Sequence, residues 1–288
     1  MVVKVFDSAK DYLNAYEEVL LEQEAVSQLI LYNAHNNLHV IASENCMFGV
    51  VLDDEKVPLL HFSNVTPKNM AIYAGSIDKE RLETATVLLA KYLSDNHISL
   101  TGLNARFDIC QSFLGEYVKM VKCTFVEKLG MDIMEVREVN DIKPVEGVHR
   151  TASMEEVKLI ADWMVQFQIE ALANEINYEA ALEKTKRYIE DGRVYIYENM
   201  EQKVVSMAIA TRQLMHGVAI SYVFTPEDHR GTGYAAANIY YMSKDLLEKG
   251  NEFCTLFVDK KNVISIRAYE KVGYHILEDN YEYQILYA

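Results

Sequence analysis

The chain has 288 residues, half of them apolar and a quarter charged, with a formal net charge of −15. That length implies about two domains, each able to bury a core without disulfides or a structural metal. The acid is spread along the chain and argues against a nucleic-acid binder, because that affinity rests on Lys and Arg.

Residues 8–33 place Tyr12, Tyr16, Val19, Leu20 and Val26 at helical spacing and predict one long amphipathic helix. Residues 1–20 lack the continuous apolar core of a signal peptide. Strand-like runs follow at 39–43 with 47–52, at 57–62 and at 70–73, punctuated by Asp53-Asp54 and Pro67-Lys68. Residues 78–95 predict a helix with an Asp cap and an acidic first turn. A short extended piece at 100–103, a helix at 108–120 and a strand at 123–139 complete the first half.

The second half runs through a similar order. Helices are expected at 153–173, with Ser153 and Glu156 as a capping box, and at 178–190. Strands at 194–198, 204–211 and 218–225 come next, then a helix at 233–248, a strand at 253–258, a helix at 263–271 and a final strand or hairpin at 274–287. The apolar stretch 204–224 is broken by Arg212, Gln213 and His216, so it reads as strands and a turn and not as a membrane helix. An offset of about 154 residues aligns the two halves element by element, without clear residue identity. Two copies of one α+β module and two unrelated domains of like order remain equal readings of that pattern. The seam falls at 140–149, where Pro144 and Gly147 interrupt it.

Cys46, Cys110, Cys123 and Cys254 form no C-x-x-C pair, so neither a zinc ribbon nor a thioredoxin-type site is expected; they read as thiols of a reducing, cytoplasmic compartment. His35 and His39 lack the Glu of a metalloprotease motif, and no metal site is expected. Asp53-Asp54-Glu55 reads as a turn, Cys254 as a core thiol, and Trp163 with Phe167 as a packed helix face.

The chemistry is concentrated after the strand ending Val223-Phe224-Thr225-Pro226. A polar turn leads to Arg230-Gly231-Thr232-Gly233-Tyr234-Ala235, where a helix starts. Glycines there let the backbone approach a ligand, and helix N-terminal N–H groups suit a diphosphate, with Arg230 as an added charge and His229 as a flank. Neither the dinucleotide G-x-G-x-x-G pattern nor the G-x-x-x-x-G-K-[ST] phosphate loop is present.

Arg230-x-x-Gly233-x-Ala235 resembles the R/Q-x-x-G-x-G/A signature of the GCN5-related N-acetyltransferases (GNAT). The strand from Cys254 to Asp259 and the run Asn262-x-x-Ser265-x-x-x-Tyr269-x-x-x-Gly273-Tyr274 are similar to that family's next strand and last helix. The resemblance spans about residues 148–288 and is closest to a bacterial two-domain branch with a degenerate first half. It implies an α+β fold of tandem GNAT-like modules, each a mixed, mostly antiparallel sheet flanked by helices. Residues 1–140 would be the degenerate module and 141–288 the domain that binds acetyl-CoA. Around 74–80 the first half has no Arg-Gly-x-Gly, and its acidic helix start would repel a diphosphate.

By the same resemblance, Val223, Phe224 and Thr225 would pair with the pantetheine arm, and residues 230 to 235 would hold the pyrophosphate. Asn262 and Ser265 would hold the pantetheine or orient Tyr269. The Val223 N–H would polarise the thioester carbonyl, and Tyr269 would protonate the leaving thiolate. For Asn262 a plain helix cap stands as an equal reading. No acid lies on the strand, so Glu170 or Glu175 is the candidate general base. The implied activity is acetyl-CoA-dependent N-acetylation of a primary amine, on a small molecule or a peptide, by direct attack. A non-catalytic acyl-CoA sensor and an enzyme using another acyl donor are the alternatives. The acidic surface is compatible with a cationic acceptor such as a polyamine, an aminoglycoside or a Lys side chain. Neither nucleic acid nor membrane is expected as a partner, and the chain is expected as a monomer or homodimer.

Overall fold

A computed structural model describes residues 1–172 and 176–288. The chain divides into two compact units, Met1–Met131 with Glu278–Ala288, and Asp132–Leu277.

The first unit opens with strand β1 (Val2–Val5), helices α1 (Ala9–Leu21) and α2 (Glu24–His35), and strands β2 (Cys46–Leu52), β3 (Pro58–Val65) and β4 (Met70–Tyr73). Helix α3 (Lys79–Asp95), strand β5 (Gly102–Ala105), helix α4 (Phe107–Met120) and strand β6 (Cys123–Val136) follow. The expected single helix at 8–33 is two. Gln23 leaves helical geometry at φ −131°, ψ 50°, and Ser27 Oγ donates to the Leu20 carbonyl at 2.7 Å across the break. Residues 39–43 form isolated bridges only, and β1 is a short strand that periodicity did not reveal. The sheet runs antiparallel from β1 through β4, and β4 then meets β5 in parallel. Because β2 and β3 are covered on both faces, alternate side chains feed two cores. Leu60, Phe62 and Leu89 lie in one, and Tyr12, Phe48 and Val50 in the other.

The second unit repeats this order. It contains β7 (Val148–Thr151), α5 (Val157–Leu172), α6 (Tyr178–Glu190), β8 (Val194–Glu198), β9 (Val204–Gln213) and β10 (Gly217–Phe224). Then come α7 (Tyr234–Glu248), β11 (Phe253–Asp259) and α8 (Val263–Val272); β12 (His275–Tyr287) follows in the chain, and from Glu278 on it belongs to the first unit. The Ser153–Glu156 capping box forms as expected, on a 3-10 turn ahead of α5. Strands β7 to β10 are antiparallel neighbours, and β10 meets β11 in parallel. One core, with Trp163, Met164, Ile196 and Ile209, lies under α5 and α6. The other, with Ile239, Met242, Leu256 and Tyr269, lies under α7 and α8.

Each unit takes its closing strand from the other half of the sequence. β12 pairs antiparallel with β5, Tyr281 opposite Ala105 and Tyr283 opposite Leu103. The Tyr287 hydroxyl accepts from Leu100 N at 2.6 Å and donates to Leu100 O at 3.0 Å. In the second unit the end of β6 lies beside β11, where Thr255 Oγ1 donates to the Met134 carbonyl at 2.9 Å. Among the described residues, no helix is long and apolar enough to cross a membrane, and no His, Cys, Asp and Glu group could hold a metal ion.

Candidate active site

The parallel register of β10 with β11 covers Gly217 to Ile220 against Phe253 to Leu256 and ends there, although both strands continue. A bulge is the cause. Tyr222 sits at φ 52°, and the register of β10 against β9 shifts between Ser221 and Phe224. A positive φ on a tyrosine is costly and turns the strand away from its neighbour. The freed segment, residues 221–224, leads through Thr225 and Pro226 into the glycine loop.

In that loop Gly231 and Gly233 adopt φ 76° and 93°, values that L side chains avoid. Gly233 is the N-cap of α7, and the helix's first backbone bond runs from Ala237 N to Gly233 O at 3.0 Å. The N–H groups of Tyr234, Ala235 and Ala236 therefore project from the helix end. No acid lies in the first turn. A Cβ at Gly231 would meet open space, whereas one at Gly233 would stand 3.1 Å from Val145 Cγ1. Thr232 Oγ1 donates to the His229 carbonyl at 2.7 Å, and the Tyr234 ring packs near Tyr197 and His229. These projecting N–H groups, with the dipole behind them, fit a diphosphate.

Arg230 does not stand free beside those N–H groups. Its Nε donates to the Thr225 carbonyl at 2.8 Å, its Nη2 to Glu170 Oε2 at 2.6 Å, and its guanidinium lies 5.6 Å from the Phe224 ring centroid. The side chain braces the loop against the end of β10 and against α5. Glu170, the sequence's candidate base, is thereby bound to the sequence's candidate phosphate ligand. Glu175 lies outside the described residues. Thr225 Oγ1 is buried without a partner among the described residues.

On the opposite side, Asn262 caps α8 by accepting from Ser265 N at 3.1 Å, so the capping role is realised. Tyr269 is buried, with its ring 6.0 Å from that of Tyr274. Burial pushes its pKa well above the usual tyrosine value, although a hydrogen bond with Ser265 pulls the other way. Tyr269 therefore holds its proton at neutral pH. Cys254 is fully buried and its thiol is pushed up to about 12, which removes it as a nucleophile.

The sequence did not reveal what surrounds Tyr222. Its hydroxyl accepts from Gln168 Nε2 of α5 at 2.9 Å and from Lys184 Nζ of α6 at 3.2 Å, and its ring packs on Phe167. Polar residues on two helices carry no periodic signal that would join them to a bulge. A cavity of about 450 Å³, lined in part by Lys249, Gly250 and Asp191, opens at the other end of α7 and belongs to none of these residues.

The first unit offers a built-in comparison. The pairing of β4 with β5 also ends early, at Ala71 opposite Asn104. The following helix, however, is capped by Asp78, whose carboxylate accepts from Arg81 N at 2.9 Å, with Glu80 in the first turn. Seven residues after the α4 cap at Arg106, where Tyr269 stands relative to Asn262, the first unit has Phe113.

Residues 158–274 match the sequence model of the acetyltransferase (GNAT) family. A GNAT-family acetyltransferase from Colwellia psychrerythraea superposes with a TM-score of 0.57 at 11% identity, covering 100% of both chains. A GCN5-related N-acetyltransferase from Sphaerobacter thermophilus gives a TM-score of 0.62 at 13% identity, over 98% of this chain and 95% of the other. A Drosophila protein gives 0.62 at 10% identity, over 99% and 98%. A search of curated proteins finds no match. The fold is that of GNAT proteins along the whole chain, and the domain spanned by the matched residues belongs to the GNAT superfamily.

Proposed function

We propose that the chain is an acetyl-CoA-dependent N-acetyltransferase acting on a primary amine of a small molecule or peptide by direct attack. The unit Asp132–Leu277, which holds most of the expected 141–288 domain, would bind the cofactor, and the unit Met1–Met131 with Glu278–Ala288 would be a degenerate copy of the same module in place of the expected 1–140. The observation that carries this reading is the bulged, splayed end of β10 running into a left-handed glycine loop at the N-terminus of α7. A cytoplasmic monomer or homodimer, without nucleic-acid or membrane partners, completes it.

Bound there, acetyl-CoA would supply the acyl group as a thioester. The N–H groups of residues 231 to 235 and the α7 dipole would hold the diphosphate, with Thr232 bracing the loop. The backbone of Val223, Phe224 and Thr225, freed from β11, would bind the pantetheine arm, and Val223 N–H would donate to the carbonyl oxygen. Tyr269, oriented by Ser265, would donate its proton to the departing sulfur, while Asn262 fixes the start of α8. Glu170 would take the amine proton once Arg230 lets go of it. The acidic cap at Asp78 and Phe113 in place of a tyrosine argue for one such site per chain.

The pairing of Arg230 with Glu170 favours a second reading, a non-catalytic acyl-CoA sensor, because it leaves the candidate base engaged. Thiol release from acetyl-CoA with a panel of amines, alongside calorimetry of coenzyme binding, tests the two. Amine-dependent release supports the transferase; tight binding without release for any amine supports the sensor.

A further inference from the structure

We propose that Lys184 sets acceptor specificity, and that the acceptor is an amine that also bears a carboxylate, which the Lys184 ammonium pairs with. This rests on the acyltransferase reading above and narrows its substrate. Tyr222, which Lys184 contacts, immediately precedes Val223 on the freed segment of β10. The side chain of Lys184 is partly buried, and its ammonium lies 5.3 Å from the Tyr222 ring centroid and 5.7 Å from that of Tyr188. Its hydrogen bonds go to the phenol oxygens of Tyr222 and Tyr188, which bring no negative charge to it. Burial works against that charge, but Tyr222 and Tyr188 outweigh it and hold the pKa above the usual lysine value.

On α5 Glu170 is paired with Arg230, and on α6 Glu183 is paired with Lys186. The Lys184 ammonium is therefore a local cation on α6 in a chain of net charge −15. A partly desolvated ammonium attracts a carboxylate strongly and repels a second cation. The Phe167, Tyr188 and Tyr222 rings add apolar surface beside it. A polyamine, which the overall charge would attract, meets a like charge at Lys184.

The test compares matched amines that differ only in the carboxylate: phenylalanine with phenethylamine, and 4-aminobutyrate with propylamine. Thiol release and calorimetric binding to the coenzyme-loaded protein are both read for the wild type, Lys184→Gln and Lys184→Arg. The expected result is a preference of about tenfold or more for at least one carboxylate-bearing partner. That preference collapses in Lys184→Gln through KM or Kd and returns in Lys184→Arg. Carboxylate-dependent binding without thiol release would sink the transferase reading and keep the anionic subsite. Preference for the decarboxylated amines, binding of neither kind, or a ratio that Lys184→Gln leaves unmoved while stability falls would overturn the proposal and leave Lys184 a structural anchor of α6.

Discussion

Arg230 Nη2 lies 2.6 Å from Glu170 Oε2, so two residues expected to serve different partners are bonded to each other. Both are about half exposed, at 46% and 48%. Such a pair contributes on the order of 0–1 kcal/mol to stability. Glu170→Gln is therefore expected to leave the melting temperature almost unchanged. If Glu170 accepts the amine proton, the same change lowers kcat by about 10²–10⁴-fold and removes the acidic limb of the pH–rate profile. An unaltered profile would eliminate Glu170 as the base.

Gly233→Ala should fail for two reasons that can be separated. The left-handed backbone costs about 1–2 kcal/mol for any L side chain, and the new methyl would press on Val145 Cγ1 at 3.1 Å. Gly231→Ala shares only the first penalty, since its Cβ would meet open space. Calorimetry and thermal melts should show the larger loss for Gly233→Ala. Gly75→Ala, in the corresponding loop of the first unit, should leave coenzyme binding intact.

Tyr269→Phe removes a proton donor and keeps the packing under α8. The expected outcome is a kcat lower by about 10²-fold or more with a small change in acetyl-CoA affinity. The raised pKa of Tyr269 means that the wild-type donor stays protonated well into the alkaline range. An alkaline limb near the free tyrosine value that disappears in Tyr269→Phe would contradict that picture.

His61 is 3% exposed, its Nδ1 lies 3.1 Å from the Tyr12 hydroxyl, and burial lowers its pKa to about 4. His149, stacked between Tyr195 and Tyr241, is lowered to about 4 by burial as well, against a smaller opposing pull from Asp245. Both are neutral in the folded chain, while the unfolded chain binds their protons below about 6.5. Stability is complete above that value and falls as the pH drops from 6.5 toward 4, by up to about 3 kcal/mol for His61. Urea midpoints measured across this range should show the slope, and the Tyr12→Phe/His61→Leu pair should remove the His61 share of it, leaving that of His149, without leaving a buried hydroxyl unpaired.

Truncation after Leu277 removes the strand that completes the first unit. Hydrogen exchange should then lose protection in β5 and α4, where Tyr287 and Tyr283 dock, while β8 to β10 stay protected. Loss confined to the second unit would contradict the division of the chain.

The order of elements was legible because each module writes its helices as amphipathic stripes and its inner strands as apolar runs. The glycine loop was legible for a local reason as well, since Gly231 and Gly233 are the residues a left-handed turn requires. The break at Gln23, the four-residue β1 and the partners of Tyr222 were not legible. A helix break between apolar stripes, an edge strand with one covered face and a contact between α6 and β10 leave no periodic mark.

Sequence alone therefore determined the order of elements and the glycine loop at the start of α7, because propensity, patterning and glycine dihedrals act over a few residues. Tertiary structure decided the rest. It assigned β12 to the first unit and the end of β6 to the second, bent β10 at Tyr222, joined Arg230 to Glu170 and set Lys184 on Tyr222. Those outcomes depend on side chains and strands far apart in the chain competing for the same hydrogen bonds and the same buried volume, which only the folded arrangement resolves.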